Sequence, residues 1–215
     1  GLELSSKVST PKAYTIGKES AKYKIAALDF GIKKNILRNF ENRDCYIKVF
    51  PAKTTFEELQ SFHPDGYFLS NGPGDPSTMQ YAIDTIKQIL EENKPCFGIC
   101  LGNQLLAQAV DIPTYKLHHG HRGGNHPVKN LITGKCEITT QNHGFAVDMD
   151  ALLKSNKARL THTNLNDKSV EGLEIIGKNA FAVQYHPEAA PGPHDSRYLF
   201  DNFIKMLEQY GTFNS

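Results

Sequence analysis

From Lys24 to Val110, short apolar runs alternate with stretches of helical periodicity, and few architectures accept that alternation. Residues 24–28, 45–50, 66–70 and 95–99 read as strands, and residues 32–42, 55–62, 79–92 and 102–110 read as helices between and after them. A repeated strand–helix order implies parallel strands, because each helix carries the chain back to the edge where the next strand starts. After Pro113 the pattern changes to strand-like pieces at 114–117, 136–140, 158–162, 172–176 and 180–185, separated by Gly, Asn and Asp turns. These predict antiparallel strands added at one edge. A last helix is predicted over 196–209, where Leu199, Phe200, Phe203, Ile204 and Leu207 recur at helical spacing. The fold class expected is therefore α/β, a doubly wound, mostly parallel sheet flanked by helices with added antiparallel edge strands.

The chain has 215 residues, enough for one sizeable α/β domain. Residues 1–22 carry Ser, Thr, Lys and a Pro with weak periodicity, and they read as a linker or tail ahead of a domain spanning 23–215. With 22% charged residues and a formal net charge of +1, nothing favours nucleic acid as a partner. The apolar runs, such as 25–28 and 181–183, fall far short of the roughly 20 residues that span a bilayer, so no membrane association is expected. Cys45, Cys96, Cys100 and Cys136 do not resemble a disulfide framework, which points to a reducing cytoplasm.

The segment with most chemistry in it is Gly98-Ile99-Cys100-Leu101-Gly102, where a strand runs straight into a helix. A Gly-x-Cys-x-Gly turn of this kind is the cysteine form of the nucleophile elbow, which thrusts a side chain out over the sheet edge. The helix beginning at Leu101 aims free N–H groups and the positive end of its dipole at the sulfur, where negative charge is stabilised. Alone, Cys100 reads equally well as a small buried core residue. Its partner is supplied by His186-Pro187-Glu188, which follows the apolar run 180–185 and so sits at a strand end. An imidazole there can take and return a proton, and Glu188 can accept the other ring N–H and fix the tautomer.

Attack on an amide builds charge on the carbonyl oxygen, which backbone N–H groups must meet. Leu101 supplies one such group. Another can come from Ser70-Asn71-Gly72-Pro73-Gly74-Asp75-Pro76, where glycines allow close backbone approach, although a plain Gly/Pro turn explains the same residues. Gln141-Asn142-His143-Gly144-Phe145, between two strand-like runs, reads either as a hairpin turn or as a wall for the amino-acid end of a substrate.

Taken together, Gly98 to Gln104, the Asn-Gly-Pro-Gly-Asp-Pro loop and His186-Pro187-Glu188 make the chain resemble the class I glutamine amidotransferases, whose fold is flavodoxin-like. Within them it resembles the carbamoyl-phosphate synthase small-subunit branch. That closer likeness rests on Gly124-Asn125-His126-Pro127-Val128, on Gln141 through Asp148, and on His186 running through Pro191-Gly192-Pro193-His194-Asp195 to Asp201. The resemblance implies hydrolysis of L-glutamine by Cys100 as nucleophile through a glutamyl thioester, with His186 as acid and base and Glu188 orienting it. It further implies oxyanion N–H groups at Gly72 and Leu101, and a glutamine pocket formed by Gly74, Gln104, Asn142, Gly144 and Phe145. No metal or cofactor is implied in this chain. Ammonia would pass to a large synthetase subunit that uses ATP and Mg to make carbamoyl phosphate for arginine and pyrimidine biosynthesis. By the same resemblance, residues 1–22 are the end of an N-terminal domain, and Arg122 stands where the branch commonly has His.

Three rival readings remain. His118, His119, His121 and His126 with Cys96 and Cys100 offer a weak zinc pattern. A Cys hydrolase of γ-glutamyl or peptide bonds would use the same nucleophile and base. A non-catalytic docking module would keep the fold alone.

Overall fold

The computed structural model describes residues 1–189 and 196–214. In chain order the elements are α1 (Ser5–Val8), β1 (Tyr14–Ile16), β2 (Tyr23–Asp29), α2 (Lys34–Glu41), β3 (Cys45–Pro51), α3 (Phe56–Gln60) and β4 (Gly66–Leu69). A 3-10 turn over Pro76–Thr78 leads to α4 (Gln80–Glu92), β5 (Cys96–Ile99) and α5 (Leu101–Ala109). Then follow β6 (Thr114–Asn130), β7 (Cys136–Val147), α6 (Met149–Lys154), β8 (Ala158–Asn164), β9 (Val170–Ile175) and β10 (Ala180–Val183). A 3-10 turn over Pro187–Ala189 and α7 (Tyr198–Asn214) complete the described chain.

Among the described residues the strands form one sheet in the order β1-β3-β2-β4-β5-β10-β9-β8-β6-β7. Strands β3, β2, β4, β5 and β10 run parallel, and every other pairing is antiparallel. The expected α/β class, with a parallel centre and antiparallel additions, is what the chain adopts.

Strand β2 shows why the centre is buried on both sides. Ile25 and Ala27 face one core with α2 and α7, while Ala26 and Leu28 face the other with α4 and α5. Successive strand side chains point to opposite faces, so a continuous apolar run satisfies both layers. The α2–α7 face is aromatic: Phe40 and Phe68 meet edge-on with centroids 5.0 Å apart, and Phe97 and Phe200 at 5.6 Å. Each such ring removed from water contributes about 1.5–3 kcal/mol.

The structure corrects the sequence expectations in two places. The strands expected at 114–117 and 136–140 are the ends of a long hairpin, β6 with β7, and the segments 124–128 and 141–145 lie within its strands. Gly and His residues hid the alternation, and register shifts between Lys116 and His121 and between Gly123 and His126 break the period of two. Helix α6 replaces an expected connection, started by the Asp148 side chain accepting from the Ala151 N–H at 2.9 Å. Residues 1–22 pack onto the domain: β1 pairs with β3, and the Thr10 N–H donates to Asp29 at 2.8 Å. The stretch Pro191 to Asp195 lies outside the described residues.

Candidate active site

Strand β5 ends at Ile99 and α5 begins at Leu101, so Cys100 makes the whole turn, at φ 56° and ψ −103°. An L residue rarely adopts that conformation, and holding it costs about 1–3 kcal/mol. The flanking glycines make it attainable. A Cβ on Gly102 would lie 2.2 Å from the Leu69 carbonyl oxygen, and one on Gly98 would lie 2.9 Å from the Gly102 backbone. Only a chain without side chains there lets α5 start hard against the sheet. The Cys100 N–H donates to the Val183 carbonyl at 2.9 Å, which ties the turn to β10.

The same strand delivers the base. Beyond β10, Gln184 donates its amide N–H to the Cys100 sulfur at 3.7 Å, and His186 lines the same cleft as Cys100. Glu188 Oε2 lies 3.2 Å from His186 Nδ1, at ion-pair distance and off the line of a hydrogen bond. All three residues are nearly excluded from water. The turn carrying them is held from three sides: the His186 N–H donates to the Thr140 carbonyl at 2.9 Å, Thr140 Oγ1 to the Ala189 carbonyl at 2.8 Å, and the Asn35 amide to the Glu188 carbonyl at 2.6 Å. Burial disfavours a charged His186 ring, but the neighbouring Cys100 and the Glu188 carboxylate outweigh it and raise the imidazole to about 9. Lys33 Nζ, 3.8 Å from Glu188, is a further cation beside the carboxylate.

Cys100 and His186 open into a cleft of about 1010 Å³. Of the residues singled out in the sequence, Gly72, Gly74, Gln104, Asn142, Gly144 and Phe145 all line it. Leu101 is the first residue of α5, so its N–H has no partner within the helix. At Gly72 a Cβ would fall 2.0 Å from the Phe30 carbonyl oxygen, so the loop after β4 reaches the cleft only because this residue is glycine. Asn142 brings its carbonyl oxygen to 3.9 Å from the Cys100 sulfur, and Gln104 donates to the Phe145 carbonyl at 2.9 Å. The arrangement brings a cysteine, a histidine and that histidine's neighbouring carboxylate together beside one cleft.

Several cleft residues escaped the sequence reading. Gln184 sits next to the sulfur, and the one signal for it was a polar residue inside an apolar run. Gly1, Leu2, Leu4 and Val8 also line the cleft. The Asp75 N–H donates to the Leu2 carbonyl at 2.9 Å and Ser5 Oγ to the Pro73 carbonyl at 2.7 Å. Arg122 reaches the cleft as well, donating to the His143 carbonyl at 3.0 Å.

The suggested zinc pattern is not brought together. Cys96 belongs to the core on the α4–α5 face and Cys100 to the opposite one, while His118 and His119 are exposed on β6. Among the described residues, His121, His143 and Glu171 do place ligand-type atoms within 4.8 Å of one another. The two histidines already contact each other and Gln141: His121 Nδ1 lies 3.1 Å from His143 Nε2 and 3.0 Å from Gln141 Oε1, and Gln141 donates to Glu171 Oε2. Burial raises the Glu171 carboxyl well above its usual range.

A cysteine at a strand-turn-helix junction, a strand-end histidine and its carboxylate thus meet at one edge of a doubly wound sheet. Residues 26–206 match the family described as Glutamine amidotransferase class-I, and the chain belongs to that family. Its relatives narrow the likeness. The chain is 52% identical over 211 residues to the carbamoyl phosphate synthase small chain of Chlorobaculum tepidum, covering 97% of this chain and 57% of that one. It is 55% identical over 188 residues to the small chain of Syntrophotalea carbinolica, covering 87% and 49%. The chain thus spans about half the length of the curated relatives it matches. Two solved structures share its fold. A protein from Thermoplasma acidophilum described as a putative GMP synthase component has a TM-score of 0.75 at 22% identity, covering 89% of this chain and 96% of that one. A glutamine amidotransferase from Thermotoga maritima has a TM-score of 0.62 at 17% identity, covering 88% and 85%.

Proposed function

We propose that the chain hydrolyses L-glutamine and delivers the ammonia to a large synthetase subunit that makes carbamoyl phosphate. The observation that carries this reading is that Cys100, at positive φ, and His186 line one cleft, with Glu188 3.2 Å from the His186 ring. Identity of about half to carbamoyl phosphate synthase small chains supports it.

In this mechanism the Cys100 thiolate attacks the side-chain amide carbon of glutamine, and the N–H groups of Gly72 and Leu101 stabilise the oxyanion. His186, protonated and paired with Glu188, gives its proton to the departing nitrogen, so ammonia leaves and a glutamyl thioester remains. His186 then takes a proton from water, the hydroxide attacks the thioester, and glutamate departs as the proton returns to the couple. Gly74, Gln104, Asn142, Gly144 and Phe145 hold the amino-acid end. ATP and Mg act in the partner subunit, and the product feeds arginine and pyrimidine biosynthesis. The four cysteines, all unpaired among the described residues, support a cytoplasmic setting. No helix among the described residues is long and apolar enough to cross a membrane.

Residues 1–22 are proposed to be the end of an N-terminal domain, with 23–215 the amidotransferase domain; the share of the relatives' length that is covered supports this division. The test is to mix the chain with the large subunit of a carbamoyl-phosphate synthase and measure glutamine-dependent carbamoyl phosphate. Production that Cys100→Ser abolishes supports the reading. Cleavage of γ-glutamyl peptides without glutamine turnover would overturn it.

A further inference from the structure

Behind the cleft wall runs a line of polar side chains that the proposed mechanism does not use. It starts at the turn between β8 and β9, where Ser169 holds Asp167 Oδ1 with its N–H at 3.0 Å and its hydroxyl at 2.6 Å. The other carboxylate oxygen, Asp167 Oδ2, lies 2.6 Å from His121 Nε2. His121 on β6 stands directly opposite His143 on β7, and the two rings meet edge-on with centroids 4.8 Å apart. His143 Nδ1–H donates to the Phe145 carbonyl at 2.7 Å, the same oxygen that Gln104 holds at 2.9 Å.

Proton placement along this line follows from its acceptors. Burial pushes His143 down to about 3, and the Phe145 carbonyl, which can only accept, takes a hydrogen bond from Nδ1–H. His143 Nε2 lies 3.1 Å from His121 Nδ1 and 2.8 Å from Gln141 Oε1. The Gln141 amide nitrogen is committed to Thr139 and Glu171, so its oxygen also faces His121 Nδ1 as an acceptor. His121 Nε2–H donates to the Asp167 carboxylate, and His121 Nδ1 meets His143 Nε2 and Gln141 Oε1.

We propose that Asp167 and His121 are positioning residues: through His143 they fix the Asn142–Phe145 wall against which the substrate's amino-acid end is bound. This rests on the glutamine-binding role proposed for that wall. The arrangement has the logic of a carboxylate orienting a histidine at a metal or catalytic centre, with a backbone carbonyl in place of the reacting atom. Asp167 touches neither the cleft nor Cys100, so its influence on the site passes through the two rings.

Replacing Asp167 tests this with little risk to folding, since its side chain is 45% exposed. In the chain paired with a large synthetase subunit, Asp167→Ala and Asp167→Asn are expected to raise KM for glutamine roughly tenfold, the scale of a lost charge-assisted hydrogen bond, with kcat held within about twofold. Ring-nitrogen NMR of the parent should find the His121 Nε2 and His143 Nδ1 protons held in hydrogen bonds, and Asp167→Ala should abolish that pattern. A KM within about twofold of the parent overturns the proposal. A parent that turns over no glutamine defeats the functional reading instead, and the spectra then decide the network: a pattern unchanged in Asp167→Ala overturns it.

Discussion

Glu188 Oε2 lies 3.2 Å from His186 Nδ1, two residues along the same turn, with both side chains buried. The carboxylate helps raise the imidazole above its ordinary value. Glu188→Gln keeps the shape and removes the charge. Turnover of glutamine is expected to fall on the order of tenfold, far less than in Cys100→Ser, because the base remains and only its orientation and charge support are lost. Steady-state kinetics of the two variants side by side decide it.

His186 is held up at about 9, against an ordinary value of 6.5. A raised imidazole stabilises the fold fully below the unfolded value and loses that contribution as pH climbs through 9. Glutamine hydrolysis should decline over the same upper limb, as the proton destined for ammonia is lost. In Glu188→Gln the limb should move to lower pH. An upper limb that stays put in a pH–rate profile would separate Glu188 from the titration.

Acid should act through other residues. Burial pushes His143 down to about 3 and His162 down to about 4, so both stay neutral in the folded chain while the unfolded chain protonates them near 6.5. Stability present above 6.5 is lost as pH falls toward 4, by about 1.4 kcal/mol per unit for each ring. Denaturant midpoints measured from pH 7 to 4.5 should fall, and His162→Gln should flatten the slope.

Two glycines of the site separate folding from binding. Gly102→Ala drives a Cβ to 2.2 Å from the Leu69 carbonyl oxygen, and a loss of about 1–3 kcal/mol in thermal unfolding is expected. Gly144 has nothing within 4 Å of the position its Cβ would take. Gly144→Ala should leave the melting temperature unchanged and raise KM for glutamine if a ligand fills that space.

Labelling should distinguish the cysteines. Cys45 and Cys96 are buried and pushed up to about 12, whereas Cys136 is exposed. A general thiol reagent is expected to mark Cys136 as well as Cys100, and a glutamine analogue Cys100 alone. Mass spectrometry of the labelled peptides checks both, and glutamine-analogue labelling that persists in Cys100→Ser would remove Cys100 from its role.

The alternation from Lys24 to Val110, the elbow at Cys100 and the strand-end placement of His186 were legible in the sequence because each depends on near neighbours. Periodicity reports which faces are buried, and two glycines flanking a cysteine report a turn that a Cβ would block. The tertiary structure alone decided what surrounds the sulfur. Gln184 comes beside it from a strand 84 residues away, and Asn142 from β7, 42 residues on. Residues 1–8 reach the cleft through backbone bonds to the Gly74 loop, and Asp167 meets His121 across 46 residues. Such pairings depend on strand order and register. A bulged, glycine-rich hairpin leaves register unspecified until its two strands are paired.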